Sequence, residues 1–299
     1  MAITKQEFRL LSSDGIHPLH CIRWAPDGEV KAVLQLVHGM CERIERYDEF
    51  ACFLAEKGVL VVGHSHLGHG LTAQTPAERG WFGEPDGNAL LIRDIHRIRT
   101  EFQRPGIPYY ILGHSMGSFL TRQYLGLHGD GLAGAVIMGT ADIPLPVLRA
   151  GQLLCRSIAA AKGWQHRSAL VSSMVTDGYK QKYGLGWLSK NEESTRAYEA
   201  DPLCGFRFTL NGFYSLFLGL QRAVRRETAG QIPKTFPILF TAGAEDPVGS
   251  NGKGVEAVYR RYRSHGANVS IKLYPGDRHE ILQELDRQTV YDDIYNWME

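Results

Sequence analysis

No stretch of this 299-residue chain is apolar for long enough to cross a membrane. The longest apolar run, GLAGAVIMGTA at 131–141, falls well short of the roughly 18 residues that a span requires. The opening segment MAITKQEFRLLSSDG has no apolar core like that of a secretory signal, so a cytoplasmic location is expected. Neither sign of charge prevails. Lys and Arg number 33 against 32 Asp and Glu, which removes the long-range field that a nucleic acid or an anionic bilayer would exploit. Cysteine offers no framework either: Cys21, Cys41, Cys52, Cys155 and Cys204 are odd in number and form no C-x-x-C pair, which fits free thiols in a reducing compartment. There is no internal repeat and no low-complexity tract. The 43% of apolar residues is ordinary for a globular protein that buries a full core.

What is present is a rhythm. Strand-like runs at 17–25, 31–39, 58–65, 108–115, 131–139, 236–243 and 269–276 alternate with helix-like segments at 46–57, 87–103, 116–128, 252–265 and 286–298. Several runs are continuously apolar, as strands buried on both faces of a parallel sheet are. The alternation predicts an α/β fold, a parallel sheet wrapped by helices on both sides. About ninety residues after Gly139 break the rhythm, too many for a simple connection. They carry helical periodicity, clearest in FTLNGFYSLFLGLQRAVRR (208–226), where Phe213, Leu216, Phe217, Leu220 and Val224 share one face and Arg222 and Arg226 lie opposite. A helical cap inserted between two sheet strands is the economical reading. It divides the chain into a core at 1–140, a cap at 141–230 and the rest of the core at 231–299.

The tripeptide GHS occurs twice after a strand-like run, in VLVVGHSHLGHG (59–70) and in YYILGHSMGSFL (109–120). A nucleophile elbow is a tight strand-to-helix turn that needs small residues two before and two after its serine. Around Ser115 these are Gly113 and Gly117, with His114 and Met116 between, and a helical pattern follows. Around Ser65 they are Gly63 and Leu67, and glycines and turn formers follow. Ser115 is therefore the candidate nucleophile and Ser65 a loop residue. His64, His66 and His69 invite a metal reading, yet no cysteine or carboxylate cluster completes a shell, so no metal is expected and the three are read as shaping the loop.

A serine hydroxyl needs a base, and the base an orienting acid, in the chain order serine, acid, histidine. Asp246, in the turn that ends the run FPILFTAG, is the candidate acid; Glu245 beside it and Asp142 are alternatives. His279, after the last strand-like run, is the candidate base, ahead of His128, His166 and His265. The oxyanion of a tetrahedral intermediate needs two N–H donors. Met116, opening a helix, supplies one; Met40, after the turn at His38-Gly39, supplies the other.

The stretches HGM (38–40), GHGLT (68–72), GHSMG (113–117), DPL (201–203), GAEDPV (243–248) and GDRHEIL (276–282) resemble those of the α/β-hydrolase superfamily, and within it the monoacylglycerol lipase and lysophospholipase group, which also holds sequences described as serine aminopeptidase-like. The resemblance runs from about residue 10 to the C-terminus and is weakest over 141–200. It implies a mostly parallel eight-stranded sheet, a helical cap after the sixth strand, and a Ser–Asp–His hydrolase of carboxylic esters that works without a cofactor. By position it carries the nucleophile to Ser115, the acid to Asp246, the base to His279 and the oxyanion donors to Met40 and Met116. Animal members read H-D-H before their G-H-G; here the stretch is His64-Ser65-His66.

Substrate contacts are expected from His38, Gly39, Phe213, Leu216, Phe217 and Leu220, with Leu148, Leu153, Leu154 and Trp187 adding apolar cover suited to an acyl chain. The expected partner is a small-molecule ester, with neither nucleic acid nor integral membrane association. An aminopeptidase of the same fold would use cap carboxylates, Glu192, Glu193, Glu199 or Asp201, to hold an ammonium group. A non-catalytic binding member of the fold is the third alternative.

Overall fold

A computed structural model describes residues 3–84 and 86–299. Eight strands form one sheet in the order β1-β2-β4-β3-β5-β6-β7-β8. They are β1 (Ile3–Leu11), β2 (Pro18–Pro26), β3 (Ala32–Val37), β4 (Val59–His64), β5 (Tyr109–His114), β6 (Gly134–Met138), β7 (Ile238–Gly243) and β8 (Val269–Tyr274). Pairing is antiparallel for β1 with β2 and for β2 with β4, and parallel from β4 to β8. The seven apolar runs coincide with β2 to β8. The eighth strand, β1, escaped the reading of periodicity because it is an edge strand whose TKQE is exposed and whose apolar residues are too few to signal.

Helices α1 (Asp48–Glu56), α2 (Gly87–Phe102) and α3 (Met116–His128) follow β3, β4 and β5, while α9 (Lys253–Ser264) and α10 (Arg287–Met298) flank β8. Between β6 and β7 lie α4 (Leu145–Lys162), α5 (Ala169–Ser172), α6 (Gly178–Tyr183), α7 (Glu192–Ala200) and α8 (Leu210–Thr228), and no strand among the described residues. One apolar core, holding Ile111, Ile137, Phe213 and Phe240, covers one face of the sheet; a second, holding Phe50, Leu112, Tyr291 and Ile294, covers the other. This two-sided burial is why the central strands read as unbroken apolar runs.

Helix α8 packs against α2, α3 and α4. Its arginines, on the face opposite the apolar stripe, are also engaged: Arg222 grips Asp86 at the start of α2 (2.6 Å), and Arg226 donates to the Gly126 carbonyl of α3 (3.1 Å). The helix thus joins the inserted segment to the core through both an apolar and a charged face.

Candidate active site

Strand β5 is central, and its end delivers Ser115 to the carboxyl edge of the sheet, where open α/β sheets bind ligands. Ser115 sits at φ 52°, ψ −120°, a backbone conformation that non-glycine residues rarely adopt. Close packing enforces it. A Cβ at Gly113 would overlap the Gly117 carbonyl and the Thr121 hydroxyl, and a Cβ at Gly117 would overlap the Val37 and His38 carbonyls. Gly113 therefore answers to the elbow's own helix, whereas Gly117 answers to the neighbouring strand β3.

The hydroxyl of Ser115 lies 2.8 Å from His279 Nε2, and His279 Nδ1 lies 2.9 Å from Asp246 Oδ2. Asp246 is fully buried, and its other oxygen accepts the Val248 N–H at 2.9 Å. With Nδ1–H donated to the carboxylate, Nε2 is left to accept the serine proton. The alternative acids are turned elsewhere: Glu245 pairs with Lys190 and Asp142 with Arg261.

The backbone N–H groups of Met40 and Met116 donate to no protein acceptor among the hydrogen bonds of the described residues, and both residues border the cavity over Ser115. The turn that presents Met40 is held at Cys41 (φ 57°). Segment 198–206 secures it: the Cys41 carbonyl accepts the Gly205 N–H (2.9 Å) and the Tyr198 hydroxyl (3.2 Å), and its thiol donates to the Phe206 carbonyl (2.8 Å).

Residues 28–286 match the profile of the hydrolase family described as serine aminopeptidase, S33. The chain belongs to this family. Human monoglyceride lipase is 28% identical over 294 residues, covering 97% of this chain and 89% of that protein. The monoacylglycerol lipase of Mycolicibacterium smegmatis is 25% identical over 311 residues, covering 99% of this chain and 97% of that one. A solved thermostable carboxyl esterase from Bacillus coagulans, in complex with glycerol, superposes with a TM-score of 0.88 at 26% identity and covers 100% of this chain and 98% of that one. The chain is an α/β-hydrolase of monoacylglycerol lipase-like type, a carboxylic ester hydrolase.

A cavity of about 960 Å³ opens over Ser115 in this hydrolase. Leu216, Phe217 and Leu220 line it, together with Phe119, Leu148 and Leu154. Phe213 does not. It is fully buried one turn away, its ring 5.6 Å from that of Phe208, because the stripe on α8 is wider than the cavity and its N-terminal end serves the core. His38 and Gly39 do not line the cavity either. They stand behind it, and Leu153 points outward at 66% exposure. Its polar lining includes Glu42, Asp142, Asp177, Tyr198, Arg207 and Glu280. No helix among the described residues is long and apolar enough to cross a membrane.

Histidines of the first GHS stretch brace the turn that presents Met40. His66 N–H donates to His38 Nε2 (2.9 Å), His38 Nδ1 donates to the Gly39 carbonyl (2.8 Å), and the Cys41 N–H reaches His69 Nε2 (3.3 Å). Burial pushes the pKa values of His64 and His69 down to about 3, and His38 and His66 are lowered for the same reason. Among the described residues no group of His, Cys, Asp and Glu is arranged to hold a metal ion.

Sequence reasoning missed one cluster. Glu42 accepts from the Gly39 N–H (2.5 Å), the Tyr47 hydroxyl (3.0 Å), Arg46 (3.1 Å) and His114 Nδ1 (3.2 Å), while His114 Nε2 donates to the His279 carbonyl (3.1 Å). Both ring nitrogens of His114 thus face acceptors, an arrangement that suits an imidazolium. Burial alone would depress this ring, but the Glu42 carboxylate holds it above its ordinary value. Glu42 is itself held well below the usual carboxylate range by His114 and Arg46 in spite of its burial. The legible signal was a carboxylate four residues after His38, in HGMCER.

Proposed function

We propose that this hydrolase cleaves carboxylic esters of monoacylglycerol or lysophospholipid type through an acyl-enzyme on Ser115. The observation that carries the reading is the continuous hydrogen-bonded chain from Asp246 through His279 to Ser115, opening beneath an apolar wall built by α4 and α8. His279 takes the hydroxyl proton as Ser115 attacks the ester carbonyl. The N–H groups of Met40 and Met116 stabilise the oxyanion, and the imidazolium returns its proton to the departing alcohol. Water then repeats the sequence to release the fatty acid. Phe119, Leu148, Leu154, Leu216 and Phe217 supply the apolar surface for an acyl chain, while Tyr198, Asp177 and Arg207 supply polar groups for the alcohol.

The family description names a peptidase, and that reading needs a free carboxylate to hold the substrate ammonium. Glu192, Glu193, Glu199 and Asp201 do not line the cavity. The carboxylates that do are already paired: Glu42 and Glu280 with Arg46, Asp142 with Arg261 and Asp177 with Arg207. Ester hydrolysis is therefore favoured. The test is a panel of p-nitrophenyl and monoacylglycerol esters of rising acyl length, with aminoacyl anilides alongside, run on wild type and Ser115→Ala. Medium-chain esters are expected to turn over fastest and the anilides not at all. Acetyl esters matching or exceeding the longer ones would overturn the acyl-pocket reading, and turnover by Ser115→Ala would overturn the nucleophile.

A further inference from the structure

His279 is enclosed from two sides by rings of opposite character. On its inner side lies His114, with ring centroids 4.8 Å apart and planes at 44°. On its outer side lies Trp187, from the segment between β6 and β7, with centroids 5.3 Å apart and planes at 31°. Trp187 is the last residue of a 3-10 turn, Gly184–Trp187, and its indole is backed by Tyr179 at 5.6 Å.

The segment that carries Trp187 is stitched to the segment that carries His279. The Glu280 N–H donates to the Leu188 carbonyl (2.7 Å), and the Arg278 guanidinium donates to the Gly186 carbonyl. Glu284 accepts from the Ser189 hydroxyl (2.8 Å) and the Lys190 N–H (2.9 Å) with one oxygen, and from the Arg278 N–H (2.9 Å) with the other. Indole and imidazole are thereby held in register by bonds that involve neither ring.

The electrostatic consequence follows from the charge cycle of the base. His279 is neutral at rest and positive in each tetrahedral intermediate, when it holds the serine or water proton. The groups that face it are Asp246 at Nδ1, Ser115 at Nε2, His114 on the inner side and Trp187 on the outer side, with Glu280 next in the chain and paired with Arg46. Asp246 compensates the charge at the ring edge. His114 offers none: both of its nitrogens point at acceptors, Glu42 and the His279 carbonyl, and its own positive charge, balanced by Glu42, opposes a second imidazolium beside it. The π face of an indole within about 6 Å attracts a cation more strongly than it does the neutral ring, so the excess attraction is made in the transition state.

We infer that Trp187 is a positioning residue of the reaction, through which the segment between β6 and β7 stabilises the imidazolium form of His279 as well as walling the cavity. The inference rests on the serine-hydrolase reading above. The two are separable by experiment.

The measurement is the pH profile of kcat/KM for p-nitrophenyl butyrate with wild type, Trp187→Phe and Trp187→Ala, with active serines counted by fluorophosphonate labelling of a separate aliquot of each. Position along the pH axis does not depend on how much of a variant is folded. In Trp187→Ala the acid limb is expected to move to lower pH by about half to one unit, with kcat falling about three- to tenfold, and Trp187→Phe is expected to lie between. An acid limb that stays in place while KM rises would reduce Trp187 to a wall residue and overturn the inference. A move to higher pH would also overturn it, since it would mean that the indole acts by desolvating the base. A wild type that takes up no probe would remove the serine reading and this inference with it.

Discussion

The two GHS stretches begin alike and end in opposite environments. Gly63-His64 closes β4 and Gly113-His114 closes β5, and each following serine donates its N–H to a neighbouring strand, Ser65 to His20 (2.8 Å) and Ser115 to Met138 (3.0 Å). There the likeness stops. Ser65 is fully buried, its hydroxyl accepts only a long bond from the Ile44 N–H (3.4 Å), and a Cβ at Gly70 would overlap it. Ser115 is turned to φ 52° and meets His279 at the edge of a cavity. The preceding histidines differ as much: His64, with no carboxylate beside it, is pressed toward neutrality, and His114, beside Glu42, is pressed toward charge. One tripeptide has two chemistries because its partners come from remote parts of the chain.

This contrast can be broken most severely at the serines. Ser115→Ala is expected to lower turnover by several orders of magnitude, since members of such a unit are not additive. Ser65→Ala should leave kcat nearly unchanged and cost on the order of 1 kcal/mol of stability. Comparable activity losses in the two variants, measured on folded protein, would erase the distinction.

The glycines are expected to differ less widely. In Gly117→Ala the new methyl meets backbone carbonyls that cannot swing aside, so a loss of about 3 kcal/mol or more is expected in denaturant titration. In Gly63→Ala it meets the tip of Ile44, a side chain that can rotate, and about 1 kcal/mol is expected.

The last contrast lies in the pH dependence of stability, where the histidines should act with opposite signs. His64 and His69 have folded values depressed to about 3, so the unfolded chain binds their protons first and stability falls as pH drops below the ordinary value. His64→Gln should remove about 1.4 kcal/mol per pH unit of that acid-side slope. His114 has a raised folded value, so its contribution is full below the ordinary value and is lost as pH rises through the folded one. The difference in Tm between wild type and Glu42→Gln is therefore expected to be widest near about pH 6 and to narrow toward alkaline pH. A difference that widened instead would mean that His114 is neutral.

How much of this was legible follows from the range of each signal. Strands β2 to β8 announced themselves because burial on both faces leaves a continuous apolar run, whereas β1, exposed along an edge, left none. Gly113 and Gly117 could be read as a pair because their spacing is local. Trp187 could be read as apolar cover, but not as the neighbour of His279, from which 91 residues separate it along the chain; the bonds at Leu188 and Glu284 bring the two together. Phe213 shares the apolar stripe of α8 but is buried in the core away from the cavity; helical periodicity reports which face is apolar and not how much of it meets a cavity.

By itself the sequence determined the alternation that builds the sheet and the short turn chemistry that strains Ser115, because both arise between residues a few positions apart. Only the tertiary structure decided which histidines are drawn toward charge, how the cavity carboxylates are paired and which aromatic ring lies against His279. Those properties depend on burial and on distances between segments far apart in the chain, which no local pattern encodes.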